Sequence, residues 1–123
     1  MLINLTNHPF EKWSIDQRRN AMELYQEIVD LPFPVVDPLG DENYIHELVE
    51  VYFRKVLDLQ KNNTDTTFIV HIMGEMNFTV AIVKRLQLQG ICCVASTTQR
   101  IVEMLPNGEK NALFQFQKFR RYE

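Results

Sequence analysis

The sequence predicts an α/β fold built on a mostly parallel sheet, and three patterns indicate it. Short apolar segments alternate with amphipathic segments of helical periodicity, as expected of strands joined by helical crossovers. Residues 66–73 are β-branched and mostly apolar, which is typical of a strand buried on both faces of a parallel sheet. The dipeptide Asn107-Gly108 is a strong hairpin signal and adds an antiparallel pair near the C-terminus.

Local signals place the elements along the chain. Ser14 followed by Gln17 has the form of a capping box and predicts the start of the first helix. Gly90 occupies the position of a helix C-cap after the third helix. The predicted elements are strands at residues 2–5, 28–31, 66–73 and 91–95, helices at 14–26, 41–60 and 76–89, a polar loop at 61–65, and hairpin strands at 101–105 and 111–119.

This order, β-α-β-α-β-α-β followed by a hairpin, predicts a Rossmann-like three-layer sandwich. With 123 residues, the chain suits a single domain spanning residues 1–123. We expect right-handed crossovers and helices on both faces of the sheet.

Composition narrows the function classes. A formal net charge of -3 disfavours a long DNA or RNA groove, which needs many cationic contacts to phosphates. The apolar runs are too short to cross a membrane, and the first residues lack the features of a signal peptide. Cys92 and Cys93 are adjacent, so they predict neither a disulfide framework nor a zinc site. These features predict a cytoplasmic protein.

Polar residues follow the predicted strands, at the edge where open parallel sheets bind ligands. The densest group is Ser96, Thr97, Thr98 and Arg100, whose hydroxyls and guanidinium suit phosphate oxygens. The alternative is that these residues cap a turn.

Gly74 and Glu75 lie at a predicted strand-to-helix turn. Gly74 permits close approach of a ligand to the backbone, and the following helix N-terminus favours an anion. Glu75 has three open roles, namely a general base, a partner for a ribose hydroxyl, or the anion that satisfies the helix N-terminus.

Asn7 and His8 close the first strand, and His8 is a candidate for phosphate binding or proton transfer, or else a structural residue. Phe33 stands between two prolines and either stacks on a base or fills the core. We expect His71 to lie in the core and His46 to be solvated. No spacing of His, Asp and Glu predicts a metal site, and no cofactor is predicted.

Four segments together suggest a family. They are Asn4-Leu5-Thr6-Asn7-His8-Pro9, Leu31-Pro32-Phe33-Pro34, His71-Ile72-Met73-Gly74-Glu75 and Ser96-Thr97-Thr98-Gln99-Arg100. With this layout the chain resembles the small stand-alone CARF-like proteins, CRISPR-associated Rossmann-fold proteins of type III systems that include ring nucleases.

The resemblance implies a homodimer that binds a cyclic oligoadenylate across its two-fold axis. It also implies metal-independent cleavage, in which a ribose 2′-hydroxyl attacks the adjacent phosphate while the protein positions the reacting groups. Ser96, Thr97 and Arg100 would then contact phosphate, with Asn7 or His8 nearby. Two alternatives stay open: a nucleotide or phosphate sensor without chemistry, and an interaction protein that dimerises.

Overall fold

The computed structural model describes residues 1–63 and 67–123. The predicted loop residues Thr64 and Asp65, and Thr66 at the predicted start of the third strand, lie outside the described residues. The described elements are β1 (Leu2–Thr6), a 3-10 turn (Phe10–Lys12), α1 (Ile15–Tyr25), β2 (Ile28–Asp30), α2 (Glu42–Lys61), β3 (Ile69–Met73), α3 (Met76–Leu88), β4 (Cys92–Met104) and β5 (Lys110–Arg121).

The strands form one sheet in the order β2-β1-β3-β4-β5. The pairs β1–β2, β1–β3 and β3–β4 are parallel, and β4–β5 is antiparallel. The prediction of an α/β fold with a mostly parallel sheet and a C-terminal antiparallel hairpin is therefore confirmed. β1 lies between β2 and β3; β2 pairs with it as far as Asn4, and β3 pairs with it as far as Thr6.

Successive side chains of a strand point to opposite faces of the sheet. Different helices cover these two faces. Ile3 and Leu5 of β1 face a core cluster that includes Phe53 of α2 and Phe78 of α3. Leu2 belongs to a second cluster, which includes the α1 residues Ala21 and Tyr25 together with Trp13, Val94 and Phe119. The α1 face of the sheet is the one that carries the polar residues of β1 and β3.

The first helix starts at its predicted cap. The Ser14 hydroxyl accepts a hydrogen bond from the backbone N–H of Gln17 (3.2 Å), as the capping-box pattern predicts. Asp41 caps α2 by accepting from the N–H of Tyr44 at 2.9 Å. Gly90 has a φ of 78°, the left-handed conformation expected of a glycine after a helix.

The region after the fourth parallel strand differs from the prediction. We expected residues 96–100 to form a loop between two strands, but β4 continues unbroken from Cys92 to Met104. No glycine or proline interrupts this stretch, and its Thr, Ile and Val residues favour an extended backbone. Serine and threonine, which often cap turns, here form part of a strand.

The β4–β5 hairpin projects beyond the parallel sheet. β4 pairs with β3 through residues 92–94, whereas its pairing with β5 runs from Val94 to Met104. The connecting turn contains the predicted Asn107-Gly108, with φ 84° at Gly108. Several apolar side chains on the hairpin are exposed, among them Val102 (50%), Met104 (67%), Leu113 (45%) and Phe114 (69%).

Within residues 1–63 and 67–123, no helix combines the length and the apolar character needed to cross a bilayer.

Tyr122 attaches the end of the hairpin to the sheet, and this gives a stability prediction. Its hydroxyl donates to the carbonyl oxygen of Ile72 at 2.7 Å, and its N–H donates to the Cys93 carbonyl at 3.0 Å. We expect Tyr122→Phe to lower the free energy of unfolding by about 1 kcal/mol, because the side-chain hydrogen bond is lost. Urea denaturation measures the change.

The matched control is Tyr52→Phe, because Tyr52 contacts the core through its ring, which packs edge-on against Phe78. We expect a smaller loss for this control. Equal losses for the two variants would contradict the proposed role of the Tyr122 hydroxyl.

Candidate functional site

The main cavity lies on the α1 face, where β1 and β3 end. It has a volume of about 510 Å³, within the range of about 300–1,000 Å³ that is usual for small-molecule sites. The first half of the chain and the hairpin both contribute to it. Its lining residues are Thr6, Asn7, His8, Lys12, Trp13, Ser14, Gln17, His71, Met73, Gly74, Ser96, Thr98, Phe114 and Phe116.

Asn4, in the middle of β1, is the centre of the polar network under this cavity. Its Nδ2 donates to the carbonyl oxygen of His8 and to Oδ1 of Asp30, both at 2.8 Å. Its Oδ1 accepts from the Thr6 hydroxyl (2.9 Å) and lies 3.0 Å from Nδ1 of His71. Asn4 is 1% exposed, so its amide has no access to water as an alternative partner.

The network determines which nitrogen of His71 carries the proton. A backbone carbonyl and a carboxylate both accept hydrogen bonds, so the nitrogen of the Asn4 amide must face them. The oxygen of Asn4 then faces His71, and an oxygen can only accept. Nδ1 of His71 therefore carries the proton and donates, which leaves Nε2 unprotonated in the neutral ring.

His71 is buried (2% exposed) and forms part of the cavity wall. Its ring meets Trp13 and Phe119 edge-on, at centroid distances of 5.3 and 5.4 Å. Burial lowers the pKa of His71 to about 4, because an imidazolium would lose its hydration there. Nε2 has no hydrogen-bond partner among the described residues. The cavity wall thus includes a neutral imidazole, and the acceptor nitrogen of this ring is buried.

The loop from β1 to α1 contributes a cation, Lys12, to the cavity lining. The His8 carbonyl accepts from the Trp13 indole N–H at 2.9 Å as well as from Asn4, which holds the loop against the sheet. Lys12 and the first turn of α1, at Ser14 and Gln17, line the cavity beyond this point. A lysine beside a helix N-terminus favours an anionic group.

The hairpin supplies the aromatic wall. Phe116 pairs with Thr98 across the hairpin, and Phe114 pairs with Arg100. Phe114, Phe116 and Thr98 line the cavity. Because residues directly opposite in an antiparallel pair share a face, Arg100 lies on the same face of the hairpin, one pair further from the sheet.

The structure brings together five of the residues that the sequence singled out. Asn7, His8, Gly74, Ser96 and Thr98 all line the main cavity. Thr97 alternates to the other face of β4, where its hydroxyl donates to the Lys118 carbonyl at 3.2 Å. Arg100 is exposed beside the cavity and does not line it.

Glu75 takes one of the three roles left open for it. Its carboxylate caps α3, accepting from the N–H groups of Asn77 (2.9 Å) and Phe78 (2.8 Å). These hydrogen bonds lower the pKa of Glu75. The N-terminus of α3 therefore already has an anionic partner, and Glu75 does not line the main cavity.

Phe33 packs in the core and also borders a smaller cavity. Its ring meets Phe78 edge-on at 5.2 Å and covers Gly74, where a Cβ would overlap the ring. The small cavity, of about 220 Å³, shares Thr6 and Asn7 with the main one. Gly74 is needed here because Phe33 approaches the backbone closely.

Sequence reasoning missed several residues of the site. Asn4 and His71 lie inside predicted strands, and Lys12 and Trp13 lie between the first strand and the first helix. Phe116 lies in the predicted second hairpin strand, where the sequence alone indicates no functional role. His71 is buried, as expected, but it also contributes to the cavity. The alternation of Asn4 and Thr6 on one face of β1 is the signal that would have indicated polar residues beneath a site.

Within residues 1–63 and 67–123, no three His, Cys, Asp or Glu side chains are grouped closely enough to hold a metal ion. Burial raises the pKa of the Cys93 thiol to about 12, so this cysteine stays protonated and unreactive at neutral pH.

Comparison with known families gives one match. The family model described as Uncharacterized protein MJ1673 family matches residues 1–120. No curated protein and no solved structure matches the chain.

The pKa of His71 predicts how stability depends on pH. Since the pKa is lowered from 6.5 to about 4 in the folded state, the unfolded chain binds the proton first as pH falls. The contribution of neutral His71 to the free energy of unfolding is therefore fully present above about pH 6.5. It decreases as the pH falls towards 4, by up to about 3 kcal/mol. We expect the stability difference between wild type and His71→Gln to shrink over this interval in urea denaturation.

The control is His46→Gln, because His46 is exposed on α2. Its stability curve is expected to run parallel to that of the wild type. If the His71→Gln curve also ran parallel, His71 would not be held neutral by burial.

Proposed function

We propose that this chain, which belongs to the uncharacterized MJ1673 family, binds a ribonucleotide ligand in the main cavity. The candidate ligand is a cyclic oligoadenylate. It would bind at the carboxyl ends of the strands, as ligands do in Rossmann-like domains. The ligand class comes from the resemblance to CARF-like proteins. The cavity supplies the support described next.

The observation that carries the proposal is that one cavity combines a group that suits an anion with aromatic side chains. Lys12 and the N-terminus of α1 line the cavity and suit a phosphate. Phe114 and Phe116 of the hairpin offer aromatic surface, which suits a base. A nucleotide combines an anionic group with a flat ring that carries polar edges, and it matches both features at once.

The geometry favours binding over cleavage. His71 is held neutral with a pKa of about 4, which makes it a weak base at neutral pH. The Glu75 carboxylate is engaged in capping α3. His8 lines the cavity and is exposed, so it is the candidate that remains for proton transfer if the ring is cut.

We also propose that the partner is a second copy of the chain. The cavity suits a single nucleotide, so a ring of several nucleotides would extend past its rim. The hairpin face next to the rim carries exposed Phe114, Val102 and Met104. Val102 and Met104 follow Thr98 at alternating positions of β4, and Phe114 of β5 pairs with Arg100 on the same face. A second copy packed on this face would bury these side chains and add a second cavity.

The first test measures binding of cyclic tetra-adenylate, cyclic hexa-adenylate, AMP and inorganic phosphate by calorimetry in EDTA. We expect at least one cyclic oligoadenylate to bind, and Lys12→Gln to weaken it about tenfold, since a charge-assisted hydrogen bond is lost. Lys84→Gln on α3 is the control and should bind as wild type. Failure of all four probes to bind would overturn the proposal.

Product analysis of the same mixtures separates binding from cleavage. Intact rings after long incubation support a sensor. Linear adenylates would establish a metal-independent ring nuclease, and loss of those products in His8→Ala and Arg100→Ala would then identify the residues that promote cleavage. Lys118→Gln, on the other face of the hairpin from Arg100, is the control for the Arg100 charge.

The second test concerns the dimer. We expect wild type to sediment as a dimer in analytical ultracentrifugation, and the double variant Val102→Gln/Met104→Gln to shift towards monomer because the apolar contact is lost. Leu113→Gln is the control, because Leu113 pairs with Ile101 on the opposite face. A monomeric wild type, or equal dissociation in all variants, would contradict a dimer through this face.

A further inference from the structure

His71 lines the cavity, and its Nε2 is a buried acceptor without a hydrogen-bond partner among the described residues. Buried polar atoms in folded proteins nearly always have a partner, and one left without a partner destabilises the protein. A partner supplied from within the cavity would remove this destabilisation. The atom therefore indicates what the cavity accepts.

Nε2 is an acceptor because the surrounding hydrogen bonds fix the tautomer of the neutral His71 ring. The Asp30 carboxylate and the His8 carbonyl fix the orientation of the Asn4 amide. Asn4 in turn requires the proton of His71 on Nδ1. Asn4 thus acts as a positioning residue, and it presents one nitrogen lone pair of His71 for recognition.

We propose that Nε2 of His71 selects the ligand by accepting a hydrogen bond from an N–H or O–H donor, so that ligands without a donor at this point are rejected. The inference rests on the proposed nucleotide function and names what the site recognises in the nucleotide. Two parts of an adenylate carry such a donor: the exocyclic amine of adenine and the ribose 2′-hydroxyl. A phosphate oxygen is disfavoured at this position, because two acceptors would face each other.

The surroundings of His71 strengthen the selection. Trp13 packs against the ring, and Met73 and Phe116 line the same cavity. With little water able to reach Nε2, a ligand that lacks the donor cannot replace the missing hydrogen bond with a solvent molecule at no cost. Sites built in this way discriminate against analogues that lack a single polar group.

The test uses cyclic tetra-adenylate and two analogues, one with the amine of each base replaced by hydrogen and one with 2′-deoxyribose throughout. We expect wild type to bind one analogue at least tenfold more weakly than the parent ring. The analogue that loses affinity identifies the donor as the amine or the 2′-hydroxyl. In His71→Phe, which keeps a ring and lacks the acceptor, the preference should disappear.

His71→Gln is measured beside it, so that the result does not depend on a single variant folding. Nitrogen-15 spectra of histidine-labelled wild type supply a readout that loss of packing would not produce. We expect Nδ1 to be protonated and Nε2 to be unprotonated in the free protein, and saturating ligand to shift the Nε2 resonance while Nδ1 stays protonated.

The outcomes separate the two proposals. Equal binding of all three rings by wild type, a protonated Nε2 in the free protein, or an Nε2 resonance unmoved at saturation would overturn the selection by His71 and leave nucleotide binding standing. Binding of none of the three rings would overturn both.

Discussion

The site depends on one buried amide. Asn4 lies in the strand at the centre of the parallel part of the sheet, and it joins β2, the β1–α1 loop and β3 through hydrogen bonds to Asp30, His8 and His71. A buried primary amide is costly unless its donors and acceptor are all satisfied. Because these three bonds go to three different segments, satisfying the amide also fixes how the segments meet.

The same network explains why the cavity is polar on one side and neutral at His71. The Asp30 carboxylate lies next to Asn4 and accepts hydrogen bonds from the Asn4 amide and from the N–H of Phe10 (3.1 Å). His71, one step further into the protein, is uncharged. Positive charge enters at Lys12, outside the network. The cavity lining therefore combines one cation, Lys12, with a neutral imidazole, His71.

Much of the fold could be read from local signals, and the differences have a physical origin. The capping box at Ser14, the glycine at position 90 and the hairpin at Asn107-Gly108 act within a few residues, so the sequence predicts them. The region of Ser96 and Thr97 was misassigned because hydroxyl residues suit both turns and extended strands, and only the pairing with β5 decides between these.

The site was harder to predict than the fold. Five of the nine residues proposed for it meet in the cavity, because the rule about the ends of parallel strands is a property of topology. Glu75 was separated from the site by an interaction with its own helix, which local chemistry allowed but did not require. The contributions of Asn4 and His71 depend on a contact between residues 67 positions apart in the sequence. No local pattern indicates which polar residues of different strands will contact one another.

The projecting hairpin also bears on motion. Beyond residue 94, β4 has β5 as its neighbour in the sheet, so this section is held mainly by two-strand pairing, while the Asn4–His71 side of the cavity is held by strands on both sides. Two-stranded ribbons are weakly stable by themselves. Local unfolding should therefore begin at the hairpin tip, and its backbone amides should exchange with deuterium sooner than those of β1 and β3. The cavity wall that carries Phe114 is therefore expected to move more readily than the part formed by β1 and β3.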